Sequence, residues 1–368
     1  MRITFIVAHA DLSGGVKVIA GYAGQLAQRG HDVVVVSRPP RRAAFRERVR
    51  SAIKGRPLPT AARRGPSHLD NVPFTHRVID SHRPITTADV PDADVVIATY
   101  WETARWVAAL PPSKGAKAYL IQGYETRDDL PAETLDETWR LSMHKIVIAR
   151  WLARMSEERF GDQDYSLVPN AVDLQQFSAP PRGKQPSPTV GMVYTHVASK
   201  GCDIAIKAVE IARKTLPALK LIAFGTRPPT GDLPLPAGSE FVLQPAQSAI
   251  KDLYAKADAW IFSSRQEGFG LPLLEAMACR TPIVATPAGA APEILADGGG
   301  ILVSPENATS LAQGIAQIVG LDDAEWRKLS DNALQIAGRY SWKHSTDLFE
   351  AALRRAVEKS EQPTAAGF

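Results

Sequence analysis

The chain has 368 residues, 45% of them apolar and 22% charged, which is more than one hydrophobic core serves and unlike a disordered, collagen-like or coiled-coil composition. Two domains are expected. No apolar run approaches the roughly 20 residues that cross a bilayer, the opening apolar stretch is too short for a signal-peptide core, and Cys202 and Cys279 are isolated, so the sequence predicts a cytoplasmic protein with core thiols and neither a disulfide framework nor a structural zinc site.

The net charge of +4 is uneven: residues 1–185 hold 26 Lys and Arg against 20 Asp and Glu, and the remainder is slightly acidic. The excess gathers between Arg38 and Arg64, where Glu47 is the single acid. Such a run reads first as a solvated loop or helix. Its sharper reading is a contact with an anionic membrane surface, at the inner face of the plasma membrane, where each Lys or Arg contributes about 1 kcal/mol. Phe45 is the run's only aromatic residue and no helix-turn-helix or RNA-binding signature accompanies it, so nucleic acid is not an expected partner.

In chain order, residues 3–8 read as a strand, Ser13-Gly14-Gly15 as a break, and Val16, Ile19, Ala20, Ala23, Leu26 and Ala27 recur at helical spacing up to Gly30. Four consecutive Val at 33–36 suit a strand buried on both faces, completing a βαβ unit. Further strands are predicted over 95–98, 118–121 and 146–149. Residues 178–188 are rich in Pro and polar side chains and mark a linker over 181–188, between an N-terminal domain at 1–180 and a C-terminal domain at 189–340. There the alternation restarts, with strands over 190–194, 219–224, 241–243, 260–263 and 283–285 and helices over 204–214, 249–257 and 272–278. A helix over 342–358 and a frayed tail occupy 341–368. Alternation of this kind predicts mostly parallel sheets, with ligands at the carboxyl ends of the strands and a cleft between the halves.

Residues 263–278 read Ser-Ser-Arg-Gln-Glu-Gly-Phe-Gly-Leu-Pro-Leu-Leu-Glu-Ala-Met-Ala. Gly268 and Gly270 let backbone approach a ligand closely, and Pro272 suits the first turn of a helix whose open N–H groups attract oxygen-rich or anionic ligands. Glu267 precedes the Gly-rich turn. Glu275 stands one turn inside the helix, where a carboxylate either accepts both hydroxyls of a ribose or merely complements the helix dipole, for about 0.3–1 kcal/mol.

This string resembles the donor-site motif of the family 4 retaining glycosyltransferases of the GT-B fold, in which two Glu are separated by seven residues. The likeness continues at 281–286, 292–294, 298–303 and 168–173 with Phe177, while 101–104 and 119–125 are similar to a bacterial polysaccharide-synthesis branch. It covers most of the C-terminal half and patches of the N-terminal half. The resemblance implies an α/β protein of two tandem Rossmann-like domains with a cleft between them. It also implies a transferase that moves a hexose from a nucleotide-sugar donor to a glycan or glycolipid acceptor with retention. On the same ground, Glu275 binds the ribose, and Glu267 with the backbone of Gly268, Phe269, Gly270 and Leu271 holds the sugar. Lys200, after strand 190–194, neutralises the diphosphate, and Gly14 and Gly15 offer it backbone N–H groups from a helix terminus. Glu267 and Lys200 are then the catalytic pair, stabilising the positive sugar and the leaving diphosphate in a same-face displacement.

Departures from the family pattern fall at the phosphate and acceptor sites, and at Ala149, Ala171 and Arg280, where Ser, Gly and Gly are more usual. No Arg stands shortly before Lys200, and His196 and Arg265 are the expected substitutes. Residues 122–125, where relatives carry a His, read Gln-Gly-Tyr-Glu, so no such His is assigned there; the acceptor-side candidates are His9, which follows the first strand, and Trp101, Tyr124 and Glu125 in the stretches that carry the resemblance. Asp92-Ala93-Asp94 has the spacing of a metal-diphosphate motif but precedes a strand and reads as a solvated turn, so neither a metal nor another cofactor is expected. Rival readings are a sugar-nucleotide epimerase or glycan phosphorylase of the same fold, and a non-catalytic glycan-binding subunit.

Overall fold

The computed structural model describes residues 1–40, 65–124 and 130–362. Of the basic run, all but Arg38 therefore lies outside the described residues, as does Glu125. By its contacts the chain divides into two units. One comprises Met1–Ile148, Leu152–Val168 and the chain from Ser345 onward, and the other Ala149–Trp151 and Pro169–His344.

The first unit is built on β1 (Arg2–Val7), β2 (Asp32–Ser37), β3 (Thr75–Val78), β4 (Val95–Ala98), β5 (Ala116–Ile121), β6 (His144–Val147) and β7 (Tyr165–Leu167). They pair in parallel in the order β3-β2-β1-β4-β5-β6-β7. Helices α1 (Gly14–Gln28), α2 (Trp101–Ala108), α3 (Ala132–Trp139) and α4 (Arg150–Phe160) follow β1, β4, β5 and β6. β1 and β4 are buried almost throughout, as strands covered on both faces must be. The strand order reverses between β1 and β4, so His9 and the segment from Tyr100 to Glu102 flank the place where open α/β sheets take ligands.

The second unit holds β8 (Thr189–Val193), β9 (Lys220–Gly225), β10 (Glu240–Leu243), β11 (Ala259–Phe262), β12 (Ile283–Ala285) and β13 (Gly300–Leu302). These are again parallel, in the order β10-β9-β8-β11-β12-β13. Its helices are α5 (Cys202–Arg213), α6 (Ile250–Ala255), α7 (Leu271–Ala278), α8 (Ala291–Ile294), α9 (Ala308–Gly320) and α10 (Asp323–Ala337). Val190, Met192, Leu221 and Ile261 pack with Ile206 and Val209 of α5, Leu311, Ile315 and Ile318 of α9, and Trp326 of α10 in one apolar cluster. Here the order reverses between β8 and β11, so the loops that follow those two strands border the switch point.

The domain limits differ from those the sequence suggests. Residues 169–180 already belong to the second unit, where Val172 bridges Ser341 and Phe177 is buried against the Tyr254 ring. The stretch 181–188 is also part of that unit, because its polar groups find fixed partners. Arg182 lies 4.5 Å over the Trp326 ring and donates to the Ala257 carbonyl at 2.6 Å. The fully buried Asp258 carboxylate accepts from the Gln185 and Thr189 amides at 2.7 and 2.9 Å. The last helix, α11 (Trp342–Glu361), returns to the first unit from Ser345 on. Its Phe349 is buried, 6.1 Å from the Phe5 ring and 4.3 Å from that of Tyr22. Among the described residues no helix is long and apolar enough to cross a membrane.

Candidate active site

Lys200 ends a 3-10 turn, Ala198–Lys200, after β8, and Gly201 then opens α5 with φ +63°. That geometry is required, since a Cβ on Gly201 would lie 2.0 Å from the Ser263 carbonyl oxygen. The turn is fastened to the loop after β11. The Ser199 carbonyl accepts from the amides of Arg265 and Gln266 at 2.8 and 3.2 Å, and Ser263 Oγ donates to the Lys200 carbonyl at 3.2 Å. A third loop, after β12, supports the second: Thr286 Oγ1 donates to the Ser264 carbonyl at 2.6 Å and the Ala290 amide to Phe269 O at 2.9 Å. Gly289, at φ +60°, has no room for a Cβ, which would stand 2.8 Å from Glu267 Cβ. The Trp151 indole N–H donates to the Gly268 carbonyl at 2.9 Å.

These supports set the polar groups. Lys200 Nζ lies 2.9 Å from Glu267 Oε1, and the same oxygen accepts from Ser264 Oγ at 3.0 Å. The Glu267 side chain is 13% exposed and that of Lys200 33%. Gly270, at φ +105°, caps α7, and its missing Cβ makes room for the Phe262 ring. Phe269 is buried against Tyr340, ring centroids 5.9 Å apart. Leu271 begins a helix with no acidic residue in its own first turn. Glu275, one turn on, is 8% exposed and accepts from Tyr254 OH at 2.9 Å. Burial, and then the Glu275 charge, push the Tyr254 hydroxyl far above its ordinary pKa, so it stays a donor.

Two residues expected to serve the diphosphate are otherwise engaged. Arg265 meets both oxygens of Asp203 at 2.8 Å, Glu306 at 2.6 Å and the Ala198 carbonyl at 2.6 Å. Asp203 first and Glu306 next raise its pKa further. Arg265 thereby ties the Lys200 turn to Asp203 and Glu306. The His196 ring stands edge-on to Tyr194 with Nε2 at 3.2 Å from the Pro228 carbonyl, so this nitrogen, carrying its proton, is given to backbone.

In the first unit Gly14 and Gly15 open α1 behind Ser13, whose side chain makes no cap, and Gln122 Nε2 donates to the Gly15 carbonyl at 3.3 Å. Arg38 is not part of a solvated run, contrary to expectation. It is 6% exposed, donates to Glu102 Oε2 at 2.6 Å and to the Ala8 carbonyl at 3.2 Å, and lies 4.6 Å over the Trp106 ring. His9 Nε2 is 3.3 Å from the same guanidinium. Desolvation, then the Arg38 charge, hold His9 below its ordinary pKa. Trp101 begins α2 with its Nε1 buried and, among the described residues, without a hydrogen-bond partner. Tyr124 OH donates to Asp136 at 2.6 Å, and burial followed by that carboxylate push it up to about 12. Asp92 pairs with Lys114 and Asp94 with Arg2, both at 2.8 Å. Sequence reasoning missed Trp151, Ser264, Asp203, Glu306 and Tyr254. Ser264 lies within the string 263–278, while the others carry no local signal.

Comparison with known proteins bears on both units. Residues 13–174 match the family model of the glycosyl transferase 4-like domain, and residues 175–335 that of glycosyl transferases group 1. Over 95 residues the chain is 36% identical to the O-antigen chain mannosyltransferase B of Escherichia coli, covering 26% of this chain and 24% of that one. Over 300 residues it is 26% identical to the D-inositol 3-phosphate glycosyltransferase of Mycolicibacterium smegmatis, 72% of this chain and 68% of the relative. The first of these relatives is thus spanned over only about a quarter of its length. Among solved structures, Anabaena HepE in complex with UDP-glucose superimposes with a TM-score of 0.71 at 17% identity, over 96% of this chain and all of that one. With both halves matched by models of one kind and the two parallel sheets shared with such structures, the chain belongs to the group 1, family-4-like glycosyltransferases of the GT-B fold.

Proposed function

We propose that this glycosyltransferase moves a hexose from a nucleotide-sugar donor to a glycan or glycolipid acceptor with retention at the anomeric carbon. The observation that carries the reading is the Lys200–Glu267 pair, 2.9 Å apart on two interlocked loops at the switch point of the second sheet. Cleavage of the bond from the anomeric carbon to the phosphate oxygen leaves positive charge on the sugar and negative charge on the diphosphate. A carboxylate and an ammonium fixed beside one another suit that separation, and preorganised charges of this kind contribute several kcal/mol. The acceptor hydroxyl oxygen forms the new bond on the face the diphosphate leaves, and its proton passes to the departing phosphate oxygen. No covalent nucleophile enters this scheme, and Lys200 with the helix ends takes the electrostatic work that a metal does elsewhere. Glu275 is assigned to the ribose, and His9, Trp101 and Tyr124 to the acceptor. The HepE complex with UDP-glucose and the mannosyltransferase relative favour a hexosyl donor.

A thermal-shift screen with UDP-, GDP- and ADP-linked hexoses tests this. A ligand at about 100 times its Kd adds ~2.7 kcal/mol to folding stability. NMR of the anomeric proton in the product then reads the stereochemistry. Absence of stabilisation by all three classes removes the donor assignment, an inverted product removes retention alone, and a rate abolished by EDTA removes the metal-free scheme. Sequence from Arg41 to Arg64 is proposed to dock on anionic lipid, with vesicle binding expected to fall as salt rises.

A further inference from the structure

The Lys200–Glu267 contact has a second property. Glu267 Oε1 accepts from both Lys200 Nζ and Ser264 Oγ, so one carboxylate oxygen holds the cation that the diphosphate needs. Both backbones are tied in place: Gly201 abuts the Ser263 carbonyl, Ser199 O binds two amides, and Gly289 abuts Glu267 Cβ. What can move is the Lys200 side chain, a flexible four-carbon stem that is one-third exposed.

We infer that the Lys200–Glu267 pair is a latch that discriminates nucleotide sugar from nucleoside diphosphate, and so favours release of the spent nucleotide. The inference rests on the donor-site reading above. A diphosphate draws Lys200 away and leaves Glu267, largely buried, with Ser264 Oγ as its one hydrogen-bond donor among the described residues and a new negative neighbour. A carboxylate so stranded is costly. The hydroxyls of a donor sugar replace the lost donor, and the free nucleoside diphosphate has none to give. The substrate therefore compensates for opening the latch and the product does not. Once the sugar has left, re-formation of the ion pair competes with the diphosphate for Lys200.

Calorimetric titration of the full chain with UDP, GDP and ADP, and with UDP-glucose, GDP-mannose and ADP-glucose, tests the inference. Glu267→Gln keeps the side chain's shape and removes the charge that holds Lys200. This variant should bind the preferred diphosphate about tenfold tighter and the matching nucleotide sugar no tighter. A double-mutant cycle separates the latch from simple charge repulsion. In a Lys200→Met background the gain from Glu267→Gln should vanish, whereas repulsion between carboxylate and phosphate would persist there. Equal or weaker diphosphate binding by Glu267→Gln, or a gain that survives in the Lys200→Met background, overturns the latch and leaves the donor-site reading intact. A wild-type protein that binds none of the six nucleotides overturns that reading, and the latch with it.

Discussion

Gly201 is the point at which two donor-site loops are locked together, and Gly201→Ala measures how firmly. Its φ is +63°, and an added Cβ would stand 2.0 Å from the Ser263 carbonyl oxygen. Left-handed backbone costs an Ala about 1–2 kcal/mol, and crowding a methyl group into a filled site costs about 1–3 kcal/mol more. Together that is roughly 2–5 kcal/mol, a large share of the ~5–15 kcal/mol that holds a domain together, and on the order of 10 °C in Tm. Gly238 separates the two contributions, since its φ is +71° and, among the described residues, nothing lies within 4 Å of the added Cβ. Gly238→Ala should therefore cost only the backbone part, about 1–2 kcal/mol. Urea unfolding of both variants, with nucleotide affinity measured by calorimetry, reads the difference. Should the loops part locally, the Gly201 variant keeps its midpoint and loses nucleotide affinity instead. A Gly201→Ala protein matching Gly238→Ala in both midpoint and affinity would refute the steric reasoning.

Other perturbations have equally definite outcomes. His144, buried with Nε2 at 2.9 Å from Ser166 Oγ and beside Lys359, is held down to about 4 by burial first and the Lys359 charge second. A depressed histidine contributes stability that is complete above the unfolded value near 6.5 and is lost as pH falls toward 4, by up to about 3 kcal/mol. His144→Gln should flatten that segment of the stability curve in urea titrations, and an unchanged slope would contradict the assignment. Glu275→Ala should weaken nucleotide binding and also lower stability by about 1–3 kcal/mol, because the buried Tyr254 hydroxyl loses its acceptor. Adding Tyr254→Phe should recover part of the stability and none of the affinity. Arg265→Gln should lower nucleotide-sugar affinity by about tenfold without altering its salt dependence, since that charge already belongs to Asp203 and Glu306. A flatter salt dependence would show Arg265 on the phosphates.

The two-sheet architecture was legible because central parallel strands are written as short unbroken apolar runs, such as the four Val of β2. β3 escaped notice as an edge strand whose Thr75-His76-Arg77-Val78 is largely exposed and bears no such run. α9 and α10 have local signals that the reading passed over: Asn307 accepts from the Ser310 amide at 2.9 Å, and Asp322 with Glu325 forms a capping box. Around the site, the string from Ser263 to Ala278 directed attention to Glu267, and the resemblance to Lys200. The ties of Arg265 were not legible, because Asp203 and Glu306 reach it from separate loops. Their residue types suit any solvated surface equally well. The same holds for Arg38, which sequence counts among its basic neighbours and the fold pairs with Glu102. Local pattern encodes which face of an element is apolar. It does not encode which charges meet once distant loops converge.

The return of the last helix to the first unit constrains how the molecule comes into being. A ribosome delivers Phe5 and Tyr22 early, yet Phe349, which covers both rings, emerges only after the whole second unit has been made. During synthesis the first sheet therefore lacks the Phe349 ring until late, while the uninterrupted stretch Pro169–His344 can consolidate its own core. Loss of the chain from Ser345 onward would accordingly damage the first unit, and a nascent chain stalled before that helix is a natural client for chaperones.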